Sequence, residues 1–144
     1  MSGILKNCPK TNALEHLPTE KVKVLWFSLA NFKNKLVILT GGFSKNVSVD
    51  LTRALQVSSG KWISQNNGPS CNTLRHAHGS CIVGDSVYLI GGWENSQMVN
   101  TIESLKLNLS GDLTSAFDGS TWNQITVDNL DWRAMLFVCT LNQN

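Results

Sequence analysis

The chain has few charged residues and no long apolar run. Charged residues make up 15% of its 144 residues, and 12 Lys and Arg against 10 Asp and Glu give a formal net charge of +2. These charges are scattered, so the sequence predicts no surface for nucleic acid or for a membrane. The longest apolar runs have the length of strands, and residues 1–17 lack the apolar core of a signal peptide. We therefore expect a soluble, cytoplasmic protein.

Proline is scarce, and the cysteines show no paired motif. The four cysteines, at positions 8, 71, 81 and 139, form no closely spaced pair, which favours reduced thiols over a disulfide framework. Pro9 and Pro18 fall in a stretch without steady periodicity. We predict that residues 1–22 are an irregular N-terminal lead-in, with a short helical turn possible over residues 13–17.

No catalytic or metal-binding signature is present. His76, His78 and Cys81 form a candidate metal cluster, but on a strand Cys81 points away from the two histidines, and no second ligand pair follows. We expect no catalytic residue, no metal and no cofactor; His78 is expected to make a structural hydrogen bond between neighbouring sheets, and Cys81 to be buried. Three carboxylates are expected to be solvated or to lie in turns: Asp50, Glu103 and Asp112.

The sequence does contain strand patterns that end in glycine pairs. Residues 36–40 lead into Gly41-Gly42 and residues 86–90 into Gly91-Gly92, and an aromatic residue follows each pair. The two pairs lie 50 residues apart, a repeat length typical of propellers. The predicted strands are 24–30, 36–40, 49–57 and 61–64 in the first unit, and 78–83, 86–90, 100–109 and 122–125 in the second.

The two predicted units, called blades below, span about residues 23–65 and 75–126. Trp62 and Trp122 lie 60 residues apart, because the second blade has a longer connection through residues 113–120, which we expect on the surface. A third unit begins with a strand at 133–141 and spans 133–144. Residues 23–144 are thus predicted to form one partial repeat domain.

The order of these features resembles the kelch repeat. The second blade carries the family's residues in sequence: Arg75, His78, Tyr88, Gly91, Gly92 and Trp122. Counting back from the first glycine pair places Leu25 and Ser28 at the Arg and His positions, and Ile38 at the Tyr position. The third unit keeps Arg133, with Leu136 at the His position.

This resemblance implies an all-β fold of kelch-type propeller blades, each a four-stranded antiparallel sheet. Two blades cannot close a ring, so we expect an incomplete propeller, either a fragment of a larger one or a truncated product. The glycine pairs are expected to allow close approach between sheets. Trp62 and Trp122 are expected to cover the space that the glycines leave open.

The resemblance also implies a protein-interaction module or scaffold, and not an enzyme. The alternative is part of a propeller enzyme whose metal or small-molecule site is formed by blades not present here. Loops 43–47 and 93–98 are expected on one rim, where they are predicted to bind a protein partner of unknown identity. The predicted binding residues are Lys45, Asn46, Glu94, Asn95 and Gln97. Self-association through exposed blade faces is a further expectation.

Overall fold

The structure, a computed structural model, describes residues 5–8, 13–16, 24–63 and 68–127. These residues form two four-stranded antiparallel sheets, three two-stranded ribbons and one short 3-10 helix. The predicted all-β fold of incomplete kelch-type blades is therefore confirmed. The predicted third unit lies outside the described residues. Over the described ranges, no helix has the length and apolar character needed to cross a membrane.

The strands are numbered along the chain. The N-terminal ribbon contains β1 (Leu5–Cys8) and β2 (Ala13–His16). The first blade and its ribbon contain β3 (Ser28–Phe32), β4 (Leu36–Thr40), β5 (Phe43–Ser44), β6 (Val47–Ser48), β7 (Thr52–Gln56) and β8 (Lys61–Trp62). The second contains β9 (Gly79–Val83), β10 (Ser86–Ile90), β11 (Trp93–Glu94), β12 (Gln97–Met98), β13 (Ile102–Lys106) and β14 (Trp122–Ile125).

The N-terminal segment differs from its prediction. β1 and β2 pair in antiparallel register from Leu5↔His16 to Cys8↔Ala13, so these eight residues are not irregular, and residues 13–16 form a strand where the sequence allows a helical turn. A single isolated helical turn fixes several backbone dihedrals for one hydrogen bond. Pairing two short strands satisfies more backbone groups, and this pairing is the one that forms.

The first blade has the strand order β3-β4-β7-β8. Its first strand begins at Ser28, four residues later than predicted, because Trp26 adopts a left-handed backbone conformation with φ = 52° that interrupts an extended chain. Before this break, Leu25 forms an isolated bridge with Phe43. The residues that precede β3 are thus bonded to the ribbon instead of to the sheet.

The second blade repeats this arrangement with the order β9-β10-β13-β14. His76 bridges Trp93 as Leu25 bridges Phe43, and Ala77 repeats the left-handed φ of Trp26 at 51°. The β3–β4 turn is one residue longer than the β9–β10 turn. Counting back from the glycines is therefore off by one: Val24 and Phe27 occupy the positions of Arg75 and His78, and Leu25 and Ser28 do not.

The apolar core lies between the two sheets. β3 packs against β9, where the hydroxyls of Ser28 and Ser80 are 2.7 Å apart. The core residues come from both blades and the connections between them: Ala30, Phe32, Leu36, Ile38, Ala54, Cys71, Ile82, Val87, Leu89, Leu105, Leu107, Ala116 and Trp122. Cys71 and Cys81 are buried free thiols, as expected for Cys81.

The longer connection of the second blade is not a simple surface loop. It contains a 3-10 helix at Leu113–Ser115, whose N-terminus is capped by Asp112. Ala116 is fully buried, and Phe117 packs against the core. A Cβ atom placed on Gly68, in the connection between the blades, would lie 2.9 Å from the Phe117 ring. This segment therefore holds the two blades together.

Candidate functional site

The first glycine pair lies in the seam between the blades. Gly41 has a left-handed φ of 55°, and a Cβ atom there would overlap the carbonyl oxygen of Arg75 and lie 2.6 Å from Cε1 of His78. The Gly42 amide donates to the Arg75 carbonyl at 2.8 Å. Backbone of the second blade thus fills the space beside Gly41, and the expectation that Trp62 and Trp122 cover the glycines is wrong.

A buried ion pair joins Arg75 to Glu103 on β13. Both side chains are 0% exposed, so the expectation that Glu103 is solvated is wrong. Glu103 also accepts hydrogen bonds from the backbone amides of Asn72 and Thr73, at 2.7 and 3.0 Å. Arg75 donates to the carbonyls of Gly91 and Thr101, both at 3.1 Å. Such complete pairing is what allows two charges to remain inside a protein.

His78 makes the predicted hydrogen bond between blades. Its Nε2 lies 3.0 Å from the Thr40 hydroxyl at the end of β4, which confirms the structural role expected from the sequence. Its Nδ1 is buried without a hydrogen-bond partner. Burial, and then the nearby Arg75 and His76, lower the pKa of His78 to about 3. The imidazole is therefore neutral and holds the seam as an uncharged group.

The two tryptophans that end the blades differ in their contacts. Nε1 of Trp122 donates to the Pro69 carbonyl at 3.0 Å and to the Thr52 hydroxyl at 3.3 Å, so β14 is fastened to the first blade. The corresponding nitrogen of Trp62 is buried without a hydrogen-bond partner, and its ring lies 4.8 Å from the guanidinium of Arg53.

Asp50, expected to be solvated or to lie in a turn, is half-buried in the connection before β7. It accepts from the Cys71 amide at 3.1 Å and contacts the Cys71 thiol at 3.5 Å. Burial, together with Asp50 and Glu103, raises the pKa of the Cys71 thiol to about 12. This thiol is protonated at neutral pH and is unsuited to nucleophilic attack. In the described part of the chain, no group of three or more His, Cys, Asp or Glu is placed to hold a metal ion.

The two loops that leave the glycine pairs are short ribbons that lie side by side. The hydroxyl of Ser48 on β6 accepts from the Asn95 amide at 3.0 Å and donates to the Trp93 carbonyl at 3.4 Å. It also lies 2.9 Å from Nδ1 of His76. One buried hydroxyl therefore connects the ribbon of the first blade to that of the second.

The five residues predicted for binding all lie on these ribbons. Lys45 and Asn46 form the exposed turn between β5 and β6, both with positive φ, as a tight two-residue hairpin turn requires. Asn95 and Gln97 are exposed on the second ribbon, and Glu94 is half-buried. The structure thus brings all five to one edge of the molecule, which we call the rim.

The sequence interpretation missed an aromatic cluster at this rim. The ring of Trp26 stacks on His76 with centroids 5.5 Å apart, and Phe43 contacts both rings at 5.3 and 4.8 Å. Burial lowers the pKa of His76, so its ring is neutral in this stack at neutral pH. Trp26 lies outside the predicted loops, and its place here depends on the break before β3.

Apolar side chains are exposed around this cluster. Trp26 is 59% exposed and Trp93 39%, and the others on the rim are Leu25, Val47 and Met98. A bulky residue in the left-handed region is strained, by roughly 1–2 kcal/mol. At Trp26 the strained backbone carries an aromatic side chain, most of whose surface is accessible to solvent. Ala77 has the same φ in the second blade, so the strain belongs to the blade repeat, and what is particular to Trp26 is its large exposed side chain.

A groove lies at the end of the second blade away from its glycine pair. It is an open groove of about 590 Å³ between residues 106–110 and 118–121. Asp85, Asp118 and Lys106 line it together with several uncharged polar residues. Its charge is therefore mixed, and its lining does not indicate a particular ligand. The rim is the better-defined candidate.

The comparison with protein families agrees with this structure. Residues 74–107 match the family model of the Kelch motif. This range begins just before Arg75 and contains β9 to β13, together with the second glycine pair. No curated protein matches the chain. Residues 74–107 are therefore a kelch repeat, and the predicted resemblance to the kelch family is confirmed.

Proposed function

We propose that this protein is a protein-interaction module and that its rim is the binding surface. Kelch repeats generally form scaffolds for protein partners, and they generally have no enzymatic activity. The observation that carries the proposal is Trp26, whose aromatic side chain is 59% exposed beside the two ribbons of the rim. Large exposed apolar patches with tryptophan mark interaction sites on soluble proteins.

The chemistry of the rim suits a protein partner. Trp26 and Trp93 offer rigid aromatic area, which contributes most of the energy in many interfaces. Lys45, Asn46 and Gln97 supply a polar edge around them, as interfaces commonly have. In this proposal the five residues predicted from the sequence form the edge, and the aromatic cluster forms the centre.

The test is Trp26→Ala in the full chain. Ala77 already adopts the same backbone conformation in the second blade, so alanine fits this φ. We expect partner proteins that are captured by the wild-type chain and identified by mass spectrometry to be retained at least roughly tenfold less by the variant. The circular dichroism spectrum should stay unchanged, because the side chain is mostly exposed.

The matched control is Val83→Ala, which shortens an exposed apolar side chain at the far end of β9. It should retain partners as the wild type does. Equal retention by Trp26→Ala and by the control would overturn the proposal. Equal losses in both variants would also contradict it, because they would place the effect outside the rim.

A further inference from the structure

The second blade is less covered on the side that corresponds to the seam. In the first blade, the end of β4 and the glycine pair after it are buried, whereas the equivalent residues Ile90, Gly91 and Gly92 are half-buried. Among the described residues, a Cβ atom on Gly91 would meet nothing closer than 3.8 Å, but one on Gly41 would overlap the Arg75 carbonyl. The described part of the second blade thus leaves room here for a further segment of backbone.

Two backbone groups on this side have no hydrogen-bond partner within the described part of the chain. They are the Gly92 amide and the Ala77 carbonyl. Their equivalents in the first blade both bond across the seam: Gly42 donates to the Arg75 carbonyl and Trp26 accepts from the Ala77 amide, each at 2.8 Å. The second blade therefore offers one donor and one acceptor to a segment that would pair with it as the start of the second blade pairs with the first.

Residues 133–141, which lie outside the described residues, have the sequence spacing that this position requires. Arg133 and Cys139 are separated by the same number of residues as Arg75 and Cys81. The tryptophan at the end of each blade precedes the next of these arginines by 13 residues in the first case and by 11 in the second. The two connections are thus similar in length, and the second can bring its segment to the same place on the following face.

The side chains on the two sides of this position change together. In the seam, the Thr40 hydroxyl lies 3.0 Å from Nε2 of His78. Ile90 is the equivalent of Thr40 in the second blade, and Leu136 stands at the position of His78 in the third unit. Both polar residues of the seam are therefore replaced by apolar ones, and such a pair can be buried without a hydrogen bond.

We propose that residues 133–141 bind to this open side of the second blade as the first strand of a further blade. Two backbone hydrogen bonds and one apolar contact hold the segment: the Gly92 amide to the Arg133 carbonyl, the Met135 amide to the Ala77 carbonyl, and Leu136 on Ile90. A short tether gives the segment an effective concentration in roughly the millimolar range, which favours it over a second copy of the chain. The face is covered from within the chain, and the rim remains available to other proteins.

The experiment is residue-resolved hydrogen exchange on the full chain. In the wild type, the Gly92 and Met135 amides should be protected, because both are hydrogen-bonded in the bound segment. Leu136→Asp places a carboxylate against Ile90 and should release the segment, so that both amides exchange at least roughly tenfold faster. The Gly42 amide, which bonds across the seam, should keep its protection and shows that the two blades remain folded.

The matched control is Leu141→Asp, which makes the same change further along the same segment. Leu141 corresponds to Val83, which is 55% exposed at the end of β9. This variant should therefore keep the wild-type exchange rate at Gly92.

A second pair of variants changes the backbone side of the contact. Gly91 and Gly84 both have left-handed φ values, 63° and 59°, so alanine is strained similarly at both. Only at Gly91 would the added Cβ overlap the bound Arg133 carbonyl, so Gly91→Ala should release the segment and Gly84→Ala should not. The segment can leave without separating the two blades, and for this reason Gly91→Ala stays more stable than Gly41→Ala.

A Gly92 amide that exchanges as fast in the wild type as in Leu136→Asp would overturn the proposal. Equal protection in the wild type and in both leucine variants would also overturn it, because another group would then cover the amide. Protection that is lost on dilution would assign the face to a second copy and contradict the proposal. If Gly42 also loses protection in Leu136→Asp, the comparison of Gly91→Ala with Gly84→Ala decides.

The proposed function is judged separately, by the capture of other proteins with Trp26→Ala. A segment that does not bind to the second blade would leave that result unchanged, because the rim lies on the ribbons.

Discussion

The two blades share their backbone conformation but differ in the side chains that occupy equivalent positions next to their glycine pairs. Both have the same strand order, the same register around the glycine pair and the same left-handed break before the first strand. Yet Arg75, His78 and Glu103 of the second blade have Val24, Phe27 and Arg53 at the equivalent positions of the first. Strand pairing and positive φ values are therefore sufficient for the blade, and the polar network is an addition at the boundary between blades.

Removing one partner of the buried ion pair should have the largest effect. Arg75→Val copies the first blade, where Val24 holds this position, but leaves the Glu103 carboxylate buried without its cation. We expect a loss of about 3–5 kcal/mol in the free energy of unfolding, measured with urea. Lys35→Val, at an exposed turn, is the control. A loss below about 1 kcal/mol would mean that Arg75 is as dispensable as Val24 suggests.

The next largest effect should appear in acid. The pKa of His78 is about 3 in the folded protein and 6.5 ordinarily, so the unfolded chain binds a proton more readily. The stability linked to neutral His78 is complete above about pH 6.5 and is lost as the pH falls toward about 3. Between pH 6.5 and 4 this loss should be on the order of 3 kcal/mol.

His78→Phe, which copies Phe27 of the first blade, tests this assignment. The variant loses the Thr40 hydrogen bond at every pH, but its free energy of unfolding should fall much less between pH 6.5 and 4. His76, whose pKa is also lowered, contributes a remaining slope. Parallel curves for the variant and the wild type would show that His78 does not cause the acid sensitivity.

Substitutions in the two glycine pairs should have effects of intermediate size on stability. Gly41 and Gly91 both have left-handed φ values, 55° and 63°, so alanine is strained equally at both. A Cβ at Gly41 would overlap the Arg75 carbonyl, whereas at Gly91 the nearest atom is 3.8 Å away. Gly41→Ala should therefore be less stable than Gly91→Ala by about 1–3 kcal/mol. Equal melting temperatures would place the role of Gly41 in its φ alone.

The smallest effect concerns the tryptophans that end the blades. Trp122→Phe removes the one N–H that donates to both the Pro69 carbonyl and the Thr52 hydroxyl, so its cost should include about 1 kcal/mol for hydrogen bonding. Trp62→Phe removes a buried N–H that has no hydrogen-bond partner and should lack this component. Chemical denaturation of both variants gives the comparison. A larger loss at Trp62 would mean that its packing on Arg53 outweighs the hydrogen bonds of Trp122.

The sequence was sufficient to predict that each blade has four strands, and the bounds of the strands that end at the glycine pairs. Strand 36–40 has the predicted bounds, because apolar residues end at a glycine pair whose positive φ terminates the strand. The same holds for 86–90. An apolar run and the glycine pair that ends it are adjacent in the chain, so a short stretch of sequence is enough to predict these bounds.

The sequence could not predict what depends on distant contacts. Glu103 looks like an ordinary strand carboxylate until Arg75 is placed beside it, 28 residues earlier in the chain. Ala116 and Phe117 lie in a stretch rich in Gly, Ser and Asp, yet Ala116 is a core residue and the Phe117 ring packs beside Gly68, about 50 residues earlier in the chain. The pattern around Trp26 predicts a strand. Tryptophan rarely adopts a left-handed backbone conformation, so nothing in the sequence indicates the break that occurs there.

The Ser48 hydroxyl has a consequence for the thermodynamics of recognition. Its contacts to His76, Trp93 and Asn95 match the one donor and two acceptor sites that a hydroxyl has. Neither ribbon can tilt alone without breaking one of them. A molecule that touches both ribbons therefore meets a preorganised surface, and avoids part of the entropy, about 0.5–1.5 kcal/mol for each side chain, that ordering two independent loops would cost.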